Sequence, residues 1–195
     1  MKITFLGTNG WYDTDTGNTI STLIETKDCF IILDAGNGFY KLDKYIKNEK
    51  PIYLFLSHFH LDHIVGLHTK NKFNFKQGIK IYGQKGTKDI LNKIINQPFT
   101  VPFKHEWMLY NIEVYELPEQ TNTLPFSVES KPLSHWSPCL GFRFKLEEKI
   151  ISYCIDTAPC ENLIDLAENA DLLIMECAFR PGENYKEMVH LNPEI

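Results

Sequence analysis

Four residues with metal-binding side chains lie within six consecutive positions, as His58, His60, Asp62 and His63. They follow an apolar run at residues 52–56, which predicts a strand buried on both faces. Residues two apart in an extended backbone project to the same side, so His58 and His60 can point at one metal ion. A turn into a helix near Asp62 would direct Asp62 and His63 toward a second ion. Neutral imidazole and carboxylate suit zinc, and also manganese or iron.

The His-x-His-x-Asp-His string at residues 58–63 resembles the signature of the metallo-β-lactamase superfamily, and the resemblance extends over essentially the whole chain. Other similar segments are residues 5–8, 17–19, 33–36, 132–135, 153–157 and 173–177. The resemblance implies an α/β fold, a four-layer αβ/βα sandwich in which two mixed β-sheets are flanked by helices. It also implies a single domain over residues 1–195.

A dinuclear metal centre is implied by the same resemblance. The first ion would be bound by three histidines, and the second by an aspartate, a histidine and an aspartate that both ions share. In that order the ligands are His58, His60, His135, Asp62, His63 and Asp156. The expected cofactors are two divalent ions, with zinc as the first expectation and manganese or iron as alternatives. Water bound by such ions can have a pKa of about 7, so a hydroxide nucleophile is available at neutral pH.

The end of the chain departs from the family pattern. Family members close the second site with a late histidine, whereas the only histidine after Asp156 is His190. Its surroundings resemble those of an earlier histidine in the ribonuclease Z-like branch, which contacts substrate phosphate and transfers a proton. We therefore expect Asp62 and His190 to be catalytic, residues 192–194 to begin a helix, and the family's final helix, strand and ligand to be missing. The alternatives are His190 as a closing metal ligand or in a frayed terminus.

The interval between His135 and Asp156 narrows the choice of substrate. It is 21 residues long (156 − 135 = 21), which suits a hairpin but not the long tRNA-binding arm of ribonuclease Z. The net charge of −5 also disfavours broad nucleic-acid binding. The prediction is a phosphodiesterase for a small nucleotide or cyclic phosphate, as in the compact phosphodiesterases of this branch. Carboxyl-ester, lactone or thioester hydrolysis is the alternative reaction, and a non-catalytic metal-binding or sensing domain is the alternative of another class.

The composition, 43% hydrophobic and 23% charged, is typical of a globular protein with a substantial core. The chain shows no signal peptide and no apolar run near the roughly 18 residues of a membrane span, so a cytoplasmic protein without a membrane partner is expected. The five cysteines form no Cys-x-x-Cys pair and are expected to be reduced and mostly buried, Cys154 and Cys177 included. Homodimer formation is left open.

Hydrophobic periodicity predicts alternating strands and helices. Strands are expected at residues 2–6, 20–25, 29–33, 52–56, 79–82, 111–116, 126–132, 141–146, 149–155 and 172–175. Helices are expected at residues 39–46, at residues 87–95 with Thr87 as N-cap, and at residues 161–170. The Glu147-Glu148 pair is expected to form a solvated turn.

Three residues are expected to surround the metal centre. Asp34 could bond the second nitrogen of a ligand histidine or its own turn backbone, and neither interpretation is preferred. By the resemblance alone, Asn18 would face the substrate. Trp136 would form a pocket wall or pack in the core. His68 is expected at the surface, since a helix would turn it away from the metal, and His105 is expected in a loop.

Overall fold

The computed structural model describes residues 1–103, 108–183 and 189–194, and the chain divides into two compact units, Met1–Leu117 and Pro118–Ile195. His105, predicted to lie in a loop, falls outside the described residues. Within the described part, no helix has the length and apolar character needed to cross a bilayer.

The first unit contains a six-stranded mixed sheet whose strands are hydrogen-bonded in chain order. The strands are β1 (Lys2–Gly7), β2 (Ser21–Glu25), β3 (Phe30–Leu33), β4 (Ile52–Phe55), β5 (Ile79–Gln84) and β6 (Ile112–Leu117). The pairs among β1, β2 and β3 are antiparallel, and the pairs from β3 to β6 are parallel. Because β3 and β4 run parallel, the segments that follow them emerge at the same edge of the sheet.

The helical segments of the first unit are short. They are the 3₁₀ segments Asn37–Lys44 and Val65–Lys72 and the α-helices α1 (Leu61–Ile64) and α2 (Thr87–Ile94). The helix predicted at residues 39–46 is therefore a 3₁₀ segment. The prediction of Thr87 as an N-cap is wrong, because Gly86 caps α2 in the left-handed conformation at φ 89°. The Thr87 hydroxyl instead donates to the carbonyl of Gln84.

The core of the first unit lies between the sheet and these helical segments. Leu54 on β4, Phe39 on the first 3₁₀ segment and Ile64 on α1 belong to one cluster and are fully buried. Burying an aliphatic or aromatic side chain of this size contributes about 1.5–3 kcal/mol. The core thus holds β4 and α1, the two elements that flank residues 56–60.

The second unit contains a four-stranded mixed sheet in the order β10-β9-β8-β7. Its elements are β7 (Ser127–Leu133), β8 (Cys139–Leu146), β9 (Lys149–Cys154), α3 (Glu161–Ala167) and β10 (Leu172–Met175). The hairpin β8–β9 turns at Glu147 and Glu148, which both have positive φ, as a two-residue hairpin turn of type I′ requires. Strand β10 runs parallel to β9, and α3 forms the connection between them. The predicted pair of mixed sheets with flanking helices is confirmed.

The cysteines form no disulfide, and all five lie among the described residues. Cys29, Cys139 and Cys154 are buried as expected. Burial raises the pKa of the Cys154 thiol to about 12. The prediction that Cys177 is buried is wrong: it follows the end of β10 and is exposed.

Candidate metal centre

Three histidine rings converge where the chain leaves β4. His60 has extended backbone and caps α1, and its carbonyl accepts the backbone N–H of His63. The His58 ring centroid lies 4.5 Å from that of His60 and 4.1 Å from that of His63. His58 and His63 are buried, whereas His60 is exposed. The turn into a helix near Asp62, predicted from the sequence, is therefore present and brings the histidines together.

Asp34 holds two of these histidines in place from the end of β3. Its Oδ1 accepts the Ser57 backbone N–H at 2.8 Å, and its Oδ2 accepts the Ser57 hydroxyl at 2.8 Å. His63 Nδ1 lies 2.9 Å from Asp34 Oδ2, and His58 Nδ1 lies 3.0 Å from Ser57 Oγ. A ring that donates from Nδ1 presents Nε2 as its ligand nitrogen. Of the two interpretations of Asp34, the contact to a histidine is the one observed, although φ 56° also makes it a turn residue.

Glycines allow α1 to approach the turn after β3 this closely. A Cβ on Gly36 would lie 2.1 Å from the carbonyl oxygen of Asp62, and one on Gly66 would lie 2.1 Å from that of Gly36. In the space so left, the Ala35 N–H donates to the His63 carbonyl at 2.7 Å. The backbone of α1 is therefore fixed directly against the turn that carries Asp34.

The donors of the first unit fit a divalent metal. The Asp62 Oδ2 atom lies 3.5 Å from His63 Nε2, on the ring edge opposite the Asp34 contact. Two ligand atoms of a tetrahedral zinc, each about 2.0–2.1 Å from the ion, are separated by roughly 3.3–3.4 Å. Asp62 Oδ2 also accepts the Trp11 backbone N–H at 2.6 Å, which orients the carboxylate.

A second group of potential ligands lies in the second unit, after strands β7 and β9. Asp156 follows β9 with φ 55°, and His135 follows β7. The loops that carry them are joined by a β-bridge between Ser134 and Ala158, and Thr157 Oγ1 accepts the Ser134 N–H at 3.2 Å. Both loops thus leave the sheet at one place and are held by backbone contacts.

Glu176 was not predicted from the sequence, although it organises this second group. Its Oε1 accepts the Thr157 N–H at 2.7 Å and lies 2.8 Å from His190 Nδ1. One ligand atom each from Asp156, Glu176 and His190 lie within 4.8 Å of one another. The sequence signal was its position directly after the strand predicted at residues 172–175, whereas the parallel pairing of β10 with β9 is known only from the structure.

The position of His190 is fixed by its surroundings. The next residue, Leu191, is buried in one apolar cluster with Leu133 and Cys154, and its carbonyl accepts the Phe179 N–H. The His190 ring centroid lies 5.2 Å from that of His135, at an interplanar angle of 66°. These contacts do not fit a frayed position. The helix predicted at residues 192–194 is instead a turn within the described residues.

Of the remaining predicted residues, Asn18 is half-buried, whereas Trp136 and His68 are exposed. Asn18 bonds Asp13 at 3.2 Å. Although burial pushes the pKa of Asp13 upward, hydrogen bonds from neighbouring backbone and side-chain N–H groups hold it below the ordinary 3.8. Trp136 is 67% exposed and so is not a core residue; its ring stacks on His135 with centroids 6.5 Å apart. His68 is exposed, as expected.

Comparison with known proteins identifies the family of this chain. The family model for the beta-lactamase superfamily domain matches residues 30–195. Ribonuclease Z of Pyrococcus abyssi is 26% identical over an alignment of 252 positions, which covers 100% of this chain and 80% of the relative. The probable metallo-hydrolase YhfI of Bacillus subtilis is 25% identical over 202 positions, covering 98% and 78% respectively.

Two solved structures share the fold. The YhfI crystal structure superposes with a TM-score of 0.79 at 22% identity, covering 97% of this chain and 76% of YhfI. The short form of human tRNase Z superposes with a TM-score of 0.79 at 23% identity, covering 100% of this chain and 85% of that protein. The α/β architecture of metallo-β-lactamase fold proteins is therefore that of this chain.

Proposed function

We propose, from the premise that the chain belongs to the β-lactamase superfamily and is a metallo-hydrolase, that it is a dinuclear phosphodiesterase for a small nucleotide or cyclic phosphate. The proposal depends above all on one observation. His190 lies beside Asp156 and is held through Nδ1 by the Glu176 carboxylate. Cleavage of a phosphodiester produces an alkoxide that must be protonated, and an imidazole fixed in this way is suited to donate that proton.

The proposed ligand set is the one that the family resemblance implies. The ligands are His58, His60, His135, Asp62, His63 and Asp156. Imidazole and carboxylate donors in this ratio suit zinc, and manganese or iron are the other candidates. The histidine rings that converge after β4 support the ligands proposed in the first unit. Nδ1 of His58 and Nδ1 of His63 are hydrogen-bonded within the protein, which leaves Nε2 of each ring to bind metal.

When bound, the divalent ions supply a hydroxide nucleophile at neutral pH and polarise the phosphoryl oxygens. The residues around the ions orient the ligand side chains and transfer protons. Asp34 fixes the His63 ring so that Nε2 faces Asp62. Glu176 holds His190 Nδ1, so that His190 Nε2 carries the proton that passes to the leaving oxygen. The negative Glu176 stabilises the imidazolium before this transfer.

The length of the chain between ligands supports a small substrate. The interval from His135 to Asp156 is occupied by the β8–β9 hairpin, without room for a protruding arm. The ribonuclease Z alignment runs over 252 positions and this chain has 195 residues, so at least 57 positions (252 − 195) face a gap here. The YhfI alignment spans only 202 positions. Together with the net charge of −5, this favours a compact phosphodiester over a tRNA.

A panel of chromogenic substrates with elemental analysis tests the proposal. The purified protein is expected to cleave bis(p-nitrophenyl) phosphate faster than a p-nitrophenyl carboxylate, a thiolactone or a β-lactam. His60→Ala and Asp156→Ala are each expected to lower metal content and turnover. Faster cleavage of the carboxyl ester or thiolactone would reject the phosphodiesterase while leaving the metal centre standing. Bound metal without any turnover would favour a sensing domain.

The role of His190 is tested through the leaving group. His190→Ala and Glu176→Gln are expected to keep bound metal, and His190→Ala to lose about 10²–10⁴-fold in turnover of methyl phenyl phosphate. The loss with methyl p-nitrophenyl phosphate should be smaller, because nitrophenolate needs less protonation. His68→Ala is the matched control, an exposed histidine that bonds the Val65 carbonyl. Release of metal by His190→Ala would show instead that His190 is a ligand.

A further inference from the structure

Two aromatic side chains extend into solvent from the loop between β1 and β2. Trp11 is 85% exposed, more than any other large hydrophobic side chain among the described residues, and Tyr12 is 62% exposed. Their ring centroids lie 5.6 Å apart at 64°, an edge-to-face pair. The metal centre assigned above uses neither side chain. Contiguous exposed apolar surface is a feature of ligand-binding and partner-binding sites.

The loop that carries the rings is held rigidly. The Asp13 carboxylate accepts the Thr19 N–H at 2.6 Å and the Asn37 side-chain amide at 2.8 Å. The Asn9 amide donates to the Gly17 carbonyl at 3.1 Å, and the Tyr12 N–H donates to the Gly10 carbonyl at 2.7 Å. The backbone that carries the two rings is therefore held in place before any ligand arrives, which lowers the entropy lost on binding.

Trp11 is joined directly to the proposed metal centre. Its backbone N–H donates to Asp62 Oδ2 at 2.6 Å. It does so at φ 63°, a left-handed conformation that costs a tryptophan about 1–2 kcal/mol. Strain of this kind persists where surrounding contacts impose it, and it concentrates at functional sites. The conformation keeps the amide on the ligand carboxylate while the indole stays in solvent.

We propose that Trp11 and Tyr12 form an aromatic platform that stacks on a nucleobase of the substrate while the phosphodiester lies at the metal centre. This deepens the proposed function and rests on it, since it names the substrate class as a phosphodiester that carries a base. Stacking tolerates any base, because every base has a π face. A cyclic phosphate without a base would gain nothing from the platform.

Two substrates that share one leaving group separate the contribution of base binding from the rate of phosphodiester cleavage. They are thymidine 5′-(p-nitrophenyl phosphate) and methyl p-nitrophenyl phosphate, and the readout is the ratio of their kcat/KM values. Wild-type protein is expected to prefer the thymidine ester. Trp11→Ala should lower the ratio about 5- to 150-fold, the equivalent of about 1–3 kcal/mol per stacked base. Tyr12→Ala should lower it less, and Trp11→Phe should restore most of it.

Phe99→Ala is the matched control, because Phe99 is 76% exposed and belongs to the segment after α2. Its ratio should equal that of wild type. A ratio unchanged by Trp11→Ala would overturn the platform. If Trp11→Ala instead converted a dimer to a monomer in sedimentation and left the ratio unchanged, the platform would also be overturned. The rings would then contact a second copy of this chain.

A direct binding measurement separates failure of the platform from failure of the proposed function. If wild-type protein cleaves neither ester, the phosphodiesterase proposal fails. Calorimetric titration with thymidine 5′-monophosphate then tests the platform alone. Binding that Trp11→Ala weakens at least 5-fold supports it, and equal or absent binding in the two proteins overturns it.

Discussion

Replacement of Asp34 by asparagine isolates what its charge does for the proposed centre. Asparagine has the same size, and it adopts left-handed backbone as readily as aspartate, so φ 56° is retained. The amide oxygen can still accept the Ser57 N–H. The amide nitrogen, however, would face His63 Nδ1 at 2.9 Å, where two N–H donors cannot bond.

The His63 ring must then change its tautomer, and this change determines how much metal affinity is lost. With the proton moved to Nε2, the nitrogen 3.5 Å from Asp62 Oδ2 loses the lone pair that a metal needs. Loss of such a carboxylate partner typically costs 10–100-fold in metal affinity, or about 1.4–2.7 kcal/mol. Both side chains of the pair are at most 1% exposed, so water cannot replace the lost contact.

Competition against a chromophoric zinc chelator measures the affinity of Asp34→Asn. Thermal unfolding with and without zinc then separates binding from folding. The metal-dependent increase in Tm should fall by about 3–11 °C, from about 2–4 °C per kcal/mol for a chain of this size. The control is Asp43→Asn, which removes an exposed carboxylate paired with Lys72 and should change little. Zinc affinity within twofold of wild type in Asp34→Asn would refute the reasoning.

Three further outcomes follow from the structure. Gly36→Ala should lower zinc affinity at least tenfold, because its Cβ would lie 2.1 Å from the Asp62 carbonyl and must displace α1; unchanged zinc binding would contradict this close approach. Burial lowers the pKa of Lys70 from 10.5 to about 8, so the unfolded chain binds more protons between these values and stability should rise by about 3 kcal/mol from pH 8 to 10.5. In urea unfolding, Lys70→Met should remove that rise, and an equal rise in both proteins would count against it. A maleimide at pH 7.5 should label exposed Cys177 in the native protein and spare Cys154, as peptide mass mapping would show.

Residues 52–64 were predictable because their signals are local. A continuous apolar run identified β4, and four ligand-type residues immediately after it indicated the candidate site. The strand that precedes Asp156 was predictable for the same reason, since its mostly apolar residues come directly after the Glu147-Glu148 turn. Each of these two inferences needed only the pattern of residues that are neighbours in the sequence.

The role of Glu176, which sequence reasoning missed, depends on contacts between distant residues, whereas the wrong predictions at Thr87 and Cys177 have local causes. Glu176 and His190 are 14 residues apart, and the strand pairing that brings Glu176 to Thr157 has no local signature. Thr87 has the composition of an N-cap, but Gly86 before it adopts the left-handed conformation and takes that position. Cys177 follows a buried strand directly, yet side chains beyond a strand end need not continue its burial.

The same local arrangement occurs once in each unit. In both, a carboxylate directly after one strand accepts the backbone N–H of a residue just beyond the neighbouring parallel strand: Asp34 from Ser57, and Glu176 from Thr157. In both, the same carboxylate holds Nδ1 of a histidine. Parallel pairing explains the recurrence, because it brings two chain segments out at one edge, where the N–H groups beyond the ladder need acceptors.

The two pairs differ in burial, and the difference matches the roles proposed for them. His63 and Asp34 are 1% and 0% exposed, whereas His190 and Glu176 are 23% and 9% exposed. A metal ligand must keep one tautomer throughout the reaction, and a carboxylate without access to water keeps it fixed. A residue that gives up a proton must recover one from solvent in each cycle, and a partly exposed ring can do so. The difference in burial therefore supports the proposed role of His63 in metal binding and that of His190 in proton transfer, although both have the same kind of partner.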